Sequence, residues 1–95
     1  HEGLEDIQKI ALLRSAGSLL ELNWYTLEPA SPLSGNTIGE LGVRTRTGAS
    51  LVGVIRNGTL IPNPGPEFRL AEGDAVAVMG RPEEYEAFQT LALPS

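Results

Sequence analysis

The sequence predicts a small α+β domain, with a mostly antiparallel sheet, a short helix after the first strand and a helix at the C-terminal end. Three observations predict it. Asn57-Gly58 separates two apolar runs, Leu51-Val52-Gly53-Val54-Ile55 and Leu60-Ile61. Asn-Gly in that setting is the strongest short hairpin signal, because a type I′ turn needs positive φ at both central residues. Thr37-Ile38-Gly39-Glu40 has the spacing of a capping box, in which hydroxyl and carboxylate each satisfy a free backbone amide at a helix start. Arg81-Pro82-Glu83-Glu84 places a proline and two acids where the first turn of a helix favours them.

The remaining elements follow in chain order. From Leu4 to Ser15, Leu4, Ile7, Ile10, Ala11 and Leu13 recur near the 3.6-residue period, with Glu5, Asp6, Gln8 and Lys9 between them. Ala16-Gly17-Ser18 then supplies a stop. Residues 1–18 therefore read as a connector helix and linker, and residues 19–95 as the folded domain. Leu20, Leu22 and Trp24 alternate with Glu21, Asn23 and Tyr25, the pattern of a half-buried strand ending near Glu28-Pro29. Its two aromatics face opposite sides, one in the core and one exposed. Ile38 and Leu41 give the short helix an apolar face, and Gly42 ends it. Pro62-Asn63-Pro64-Gly65-Pro66 can be neither helix nor central strand. Glu72-Gly73-Asp74 turns into a buried strand, Ala75-Val76-Ala77-Val78-Met79, and Tyr85, Phe88 and Leu91 form the stripe of the last helix.

Composition narrows the chemistry. The 95 residues, 41% of them hydrophobic and 20% charged, suit one soluble globular domain with one modest core. No apolar run approaches the ~18 residues of a membrane span. With no cysteine, disulfides and thiolate metal sites are excluded, and the one histidine, His1, stands at the chain end. The net charge of −5 has the wrong sign for general nucleic-acid binding. It is unevenly spread: Arg44, Arg46, Arg56 and Arg69 face only Glu67 between residues 41 and 70, and both flanks are acidic. A basic middle suits a small anionic ligand; arginines pointing to different sides would cancel that effect. Catalysis is poorly supplied. Asp74 reads as a carboxylate bonding turn amides, and Glu83, Glu84 and Glu86 as a solvated helix face. Gly53–Thr59 has the outer spacing of a phosphate loop without its lysine, and no G-x-G-x-x-G occurs. A small hydrolase would need a nucleophile and base that the chain does not offer.

Ser31-Pro32-Leu33-Ser34-Gly35-Asn36-Thr37-Ile38-Gly39-Glu40-Leu41 has the form S-P-x-x-G-x-T-x-x-E-L. It is followed by Gly42-Val43-Arg44, then Gly48-Ala49 and an apolar strand ending Arg56-Asn57-Gly58. Ile61-Pro62-Asn63-Pro64 comes next, and then Leu70-x-x-Gly73-Asp74 before another apolar strand and Gly80. This succession, over about Leu22 to Leu91, resembles the TrkA C-terminal domain, the C-lobe of the RCK regulatory unit of potassium channels and transporters. The Asn63–Pro66 version looks most like copies appended to Kef-type cation–proton antiporters.

The resemblance implies a non-enzymatic regulatory module that forms two-fold homodimers and works in the cytoplasm beside a membrane-embedded transporter or antiporter, without nucleic acid. In some members cyclic di-AMP binds at the dimer interface. The positions matching that pocket are Ile38 on the short helix, Arg44 after it, Ser50 with Leu51 opening the next strand, and Pro62 or Pro64 in the later loop. An arginine facing a phosphate is chemically apt, being always charged and able to donate two parallel hydrogen bonds. A symmetric interface suits a symmetric dinucleotide. Ser50 departs from the pattern of the members that bind cyclic di-AMP, which tend to asparagine there, and a hydroxyl cannot supply both an amide donor and an acceptor to a base. The alternative expectation is a ligand-free dimerisation module, its interface filled by Ile38, Leu51 and their neighbours.

Overall fold

The computed structural model describes residues 20–94, so the amphipathic segment from Leu4 to Ser15 lies outside the described residues. Strand β1 (Glu21–Thr26) is followed by a loop and two short helices, α1 (Ile38–Leu41) and α2 (Val43–Thr47). Strands β2 (Ser50–Arg56) and β3 (Thr59–Pro62) form the hairpin, and β4 (Ala75–Gly80) leads into α3 (Pro82–Ala92). The four strands make one sheet in the order β1-β4-β2-β3, with every pairing antiparallel. The expected fold class is the observed one.

Local chemistry accounts for each element. Asn57 and Gly58 both have positive φ, 52° and 77°, which the type I′ turn requires. The capping box is present in full: Glu40 N donates to Thr37 Oγ1 at 3.1 Å, and Thr37 N donates to Glu40 Oε1 at 2.8 Å. Pro82 opens α3, and the Glu84 carboxylate accepts from Arg81 N at 2.8 Å. Asp74 bonds the turn amide of Ala71 at 2.9 Å, as its position before β4 suggested, and also pairs with Arg56.

The core lies between one sheet face and α3. Val54, Val76, Val78, Leu27, Leu33, Leu70 and Phe88 are all essentially inaccessible. Phe88 meets Tyr25 edge-on, with centroids 5.6 Å apart, and stacks near Tyr85. The Tyr25 hydroxyl donates to the Glu28 carboxylate. Burial, together with that acceptor, pushes the Tyr25 phenol up to about 12.

Packing decides which face of the first strand turns inward. Tyr25 is core and Trp24 exposed, as opposite sides require. Yet Leu20, Leu22 and Trp24, the apolar half of the alternation, stay about half exposed, while Asn23 and Tyr25 turn towards the core. The strand also stops at Thr26 rather than near Glu28. The reason is tertiary: Tyr25 buries more apolar surface against Phe88 than a leucine could. The same register carries Asn23 inward, where its Nδ2 is buried with no hydrogen-bond partner.

Candidate ligand-binding site

The α1–α2 corner shapes the site. Gly42 ends α1 and begins α2 with φ 56°, ψ 41°, a left-handed conformation that glycine reaches without Cβ strain. Its N–H donates back to Ile38 O at 3.2 Å, and its carbonyl accepts from Arg46 N at 2.9 Å, so one residue closes one helix and opens the next. Helix α1 is fixed from the other side by the proline-rich loop. Gly39 N donates to Pro66 O at 2.8 Å, and Ile38 N to Phe68 O at 2.9 Å. A Cβ on Gly39 would lie 3.0 Å from that Pro66 oxygen, so this close backbone approach needs glycine.

Between this corner and the start of β2 lies an open groove of about 280 Å³, lined by Ile38, Gly39, Gly42, Val43, Arg44, Thr45, Ser50 and Leu51. Four expected positions, Ile38, Arg44, Ser50 and Leu51, therefore converge on one surface. Pro62 and Pro64 do not line it. Pro62 ends β3 opposite Gly53, exposed on the sheet edge, and Pro64 is half-buried in the following loop. Pro66 is the proline that reaches α1. Gly42 was expected only as the stop of the short helix, and neither it nor Val43 nor Thr45 was expected in the site. They enter the groove through α2, whose bracketing glycines, Gly42 and Gly48, both left-handed, were the available signal.

The four arginines of the middle segment do not act together. Arg56 donates to both carboxylate oxygens of Asp74, at 2.8 and 2.6 Å, and lies over the Phe68 ring, 4.9 Å from its centroid. Arg69 donates to Gly35 O at 2.6 Å and stands 3.8 Å from Glu40. Arg46 reaches Leu41 O at 3.3 Å. Arg44 is exposed and forms no ion pair among the described residues. The groove thus offers one unspent guanidinium, two hydroxyls from Thr45 and Ser50, and an apolar floor from Ile38 and Leu51. That combination suits an anion carrying a flat apolar group. Among the described residues no cluster of side chains suits a metal ion, and no helix is long and apolar enough to cross a membrane.

A four-stranded antiparallel sheet backed by one helix, with a two-helix corner over the strand that opens the groove, defines a small regulatory domain of the RCK C-lobe class. The chain belongs to the TrkA-C domain family, which it matches over residues 22–93. It is 31% identical over 72 residues to a probable potassium channel protein 2 of Methanocaldococcus jannaschii, covering 76% of this chain and 21% of that one. With the ammonium/H(+) antiporter subunit AmhM of Alkalihalophilus pseudofirmus it shares 24% identity over 86 residues, 90% of this chain and 52% of the other. The chain thus spans about a fifth and about half of these two relatives. Among solved structures, it resembles the RCK_C domain dimer of S. agalactiae BusR in complex with c-di-AMP. The TM-score is 0.70 and the identity 30%, over 74% of this chain and 92% of that one. BusR in complex with its busAB-promotor DNA gives a TM-score of 0.71 and 27% identity, over 95% of this chain and 46% of that one.

Proposed function

We propose that this domain is a cytoplasmic, non-catalytic sensor that binds cyclic di-AMP between two copies of itself and biases a potassium transporter or cation–proton antiporter. The observation that carries the reading is the unspent Arg44 guanidinium at the rim of a groove floored by Ile38 and Leu51. A phosphate takes the guanidinium, a base covers the apolar floor, and the two-fold symmetry of the ligand repeats both contacts in the second copy. The likeness to the BusR RCK_C dimer with c-di-AMP supports the ligand class. The potassium channel and antiporter relatives support the setting. Ser50, Pro62 and Pro64 are assigned lesser parts: Ser50 offers a single hydroxyl to the base, and the two prolines edge the dimer contact beyond the groove.

Regulation here needs only differential affinity. A ligand that favours one relative orientation of two subunits by about 1–3 kcal/mol shifts the connected transporter accordingly. Direct contact of this domain with nucleic acid is not part of the reading, because its charge is −5 and Arg56 and Arg69 are already partnered.

Isothermal titration calorimetry of the chain with cyclic di-AMP, AMP and cyclic di-GMP tests the reading. Cyclic di-AMP is expected to bind at one ligand per two chains, and Arg44→Ala to weaken it by roughly ten- to a hundredfold, as loss of a charge-assisted phosphate contact does. No heat from a folded, dimeric protein would overturn the sensor and leave a ligand-free dimerisation module.

A further inference from the structure

The side of the sheet away from α3 stands open among the described residues. The antiparallel register sets Leu22 and Ser50 on either side of Met79 in one row, and Trp24 and Gly53 on either side of Ala77 in the next. Leu60 leans in from the hairpin, its Cδ1 3.7 Å from where a Cβ on Gly53 would stand. Leu22, Trp24 and Leu60 are 52%, 49% and 57% exposed, and Met79 is 40% exposed. No strand residue on this side is charged. A continuous apolar face that includes a tryptophan is an interaction surface rather than scattered surface hydrophobics.

We propose that this face packs against the same face of a second copy and forms the body of the dimer before any ligand arrives, an inference that rests on the reading of the groove as a two-copy site. Continuity, area and symmetry favour a second copy as the occupant. Ser50 opens β2, lines the groove, and shares the outer side with Met79 and Leu22, so groove and face are one surface. The four half-exposed side chains present on the order of 400 Å², against the roughly 800 Å² per partner of a standard interface. The face alone supplies about half of that area, and the adjoining groove rim with Ile38 and Leu51 extends it. A face without charge gives a partner of other chemistry nothing to select it, and it matches a second uncharged face. Symmetry then joins the two surfaces. A two-fold axis running along the strands keeps the Ser50 ends of both sheets together, so both Arg44 side chains come to one end of the dimer, where a single ligand can meet them. An axis across the strands would set those ends apart by the length of a six-residue strand, about 20 Å.

Trp24 is the only tryptophan and reports on the face directly. Analytical ultracentrifugation of the full chain without ligand, with Trp24 emission followed over the same concentrations, tests the proposal. Dimer formation is expected to bring a blue shift and a loss of acrylamide quenching. Trp24→Glu should raise the dimer dissociation constant by roughly thirtyfold, as loss of a central interface tryptophan does. Leu93→Asp, at an equally exposed leucine just past the end of α3, should leave it unchanged. The parent's own emission needs no variant, so the reading survives a Trp24→Glu chain that fails to fold. A chain that stays monomeric at every concentration would overturn the proposal, as would a dimer whose Trp24 is as open as the monomer's. Calorimetry with cyclic di-AMP separates this from the sensor reading. A ligand-binding dimer with an open Trp24 fails the sheet contact alone, and a dimer with a buried Trp24 that gives no heat upholds the contact and fails the sensor.

Discussion

Arg56 reaches from the end of β2 to the carboxylate of Asp74, which is 2% exposed, and donates to both of its oxygens. Ala71 N donates to the same carboxylate, so the buried charge is met by a partner and by a backbone amide. The Arg56 hydrogen bonds hold Asp74 below the usual carboxylate range, against desolvation, which pulls the other way. The depressed value gives a sign. The pair stabilises the fold fully above the unfolded aspartate value of about 3.9, and that contribution is lost as pH falls through the lower folded value. Arg56→Ala removes the chief cause of the depression and leaves desolvation dominant. Its acid unfolding should begin at higher pH than the parent's, followed by circular dichroism. At neutral pH the loss should be about 2–3 kcal/mol, below the roughly 3–5 kcal/mol of a fully buried pair because Arg56 is itself 36% exposed. An unchanged acid limb would mean that Asp74 is held by the turn alone. The sequence showed Asp74 as a turn carboxylate; it did not show its partner, because 18 residues and a hairpin separate the two.

At the scale of elements, what was legible was what neighbouring residues decide. The hairpin turn, the capping box at Thr37 and the Pro82 helix start each rest on a few consecutive side chains, and each stands where expected. Helix α2 was missed, since Val43-Arg-Thr-Arg-Thr47 has no apolar period and its five residues are held by the glycines at either end. The inward face of β1 stayed open in the sequence because both of its faces carry large apolar groups, and only packing against Phe88 chooses between them. The missing helix in turn hid the contributions of Val43 and Thr45 to the groove. The α1–α2 corner therefore carries a prediction of its own. A Cβ at Gly42 has room, with Arg46 Cδ at 3.9 Å, but not the preferred backbone angles. Gly42→Ala should cost about 1–2 kcal/mol for a left-handed non-glycine residue, measured by urea unfolding. Gly42→Asn should cost less, since asparagine tolerates that region. Cyclic di-AMP affinity should fall in the same order, as the corner carrying Ile38 and Arg44 shifts. Equal stability of the two variants would show that the corner relaxes out of the left-handed conformation without consequence.

Across the whole molecule, the groove and the core share a wall. Leu51 lines the groove and packs on the core cluster, and Val43 lines it while 3% exposed. Ligand held at this wall therefore braces the fold, and the stabilisation follows mass action: about 2.7 kcal/mol at a ligand concentration one hundredfold above Kd. For a domain of this size that corresponds to a rise in Tm of roughly 10–20 °C. The two-copy geometry proposed for the site adds a second dependence. Where one ligand bridges two chains, raising protein concentration at fixed ligand excess should raise Tm further, because the occupied species is a dimer that unfolds to two chains. Differential scanning calorimetry over a hundredfold range of protein concentration checks this, with Arg44→Ala expected to show little ligand-dependent rise. A ligand-induced shift that is the same at every protein concentration would mean either that each chain holds its own ligand or that the dimer outlasts unfolding. Ultracentrifugation of the heated sample separates those cases, and a monomeric bound state would sink the bridging arrangement while leaving the groove and its arginine in place.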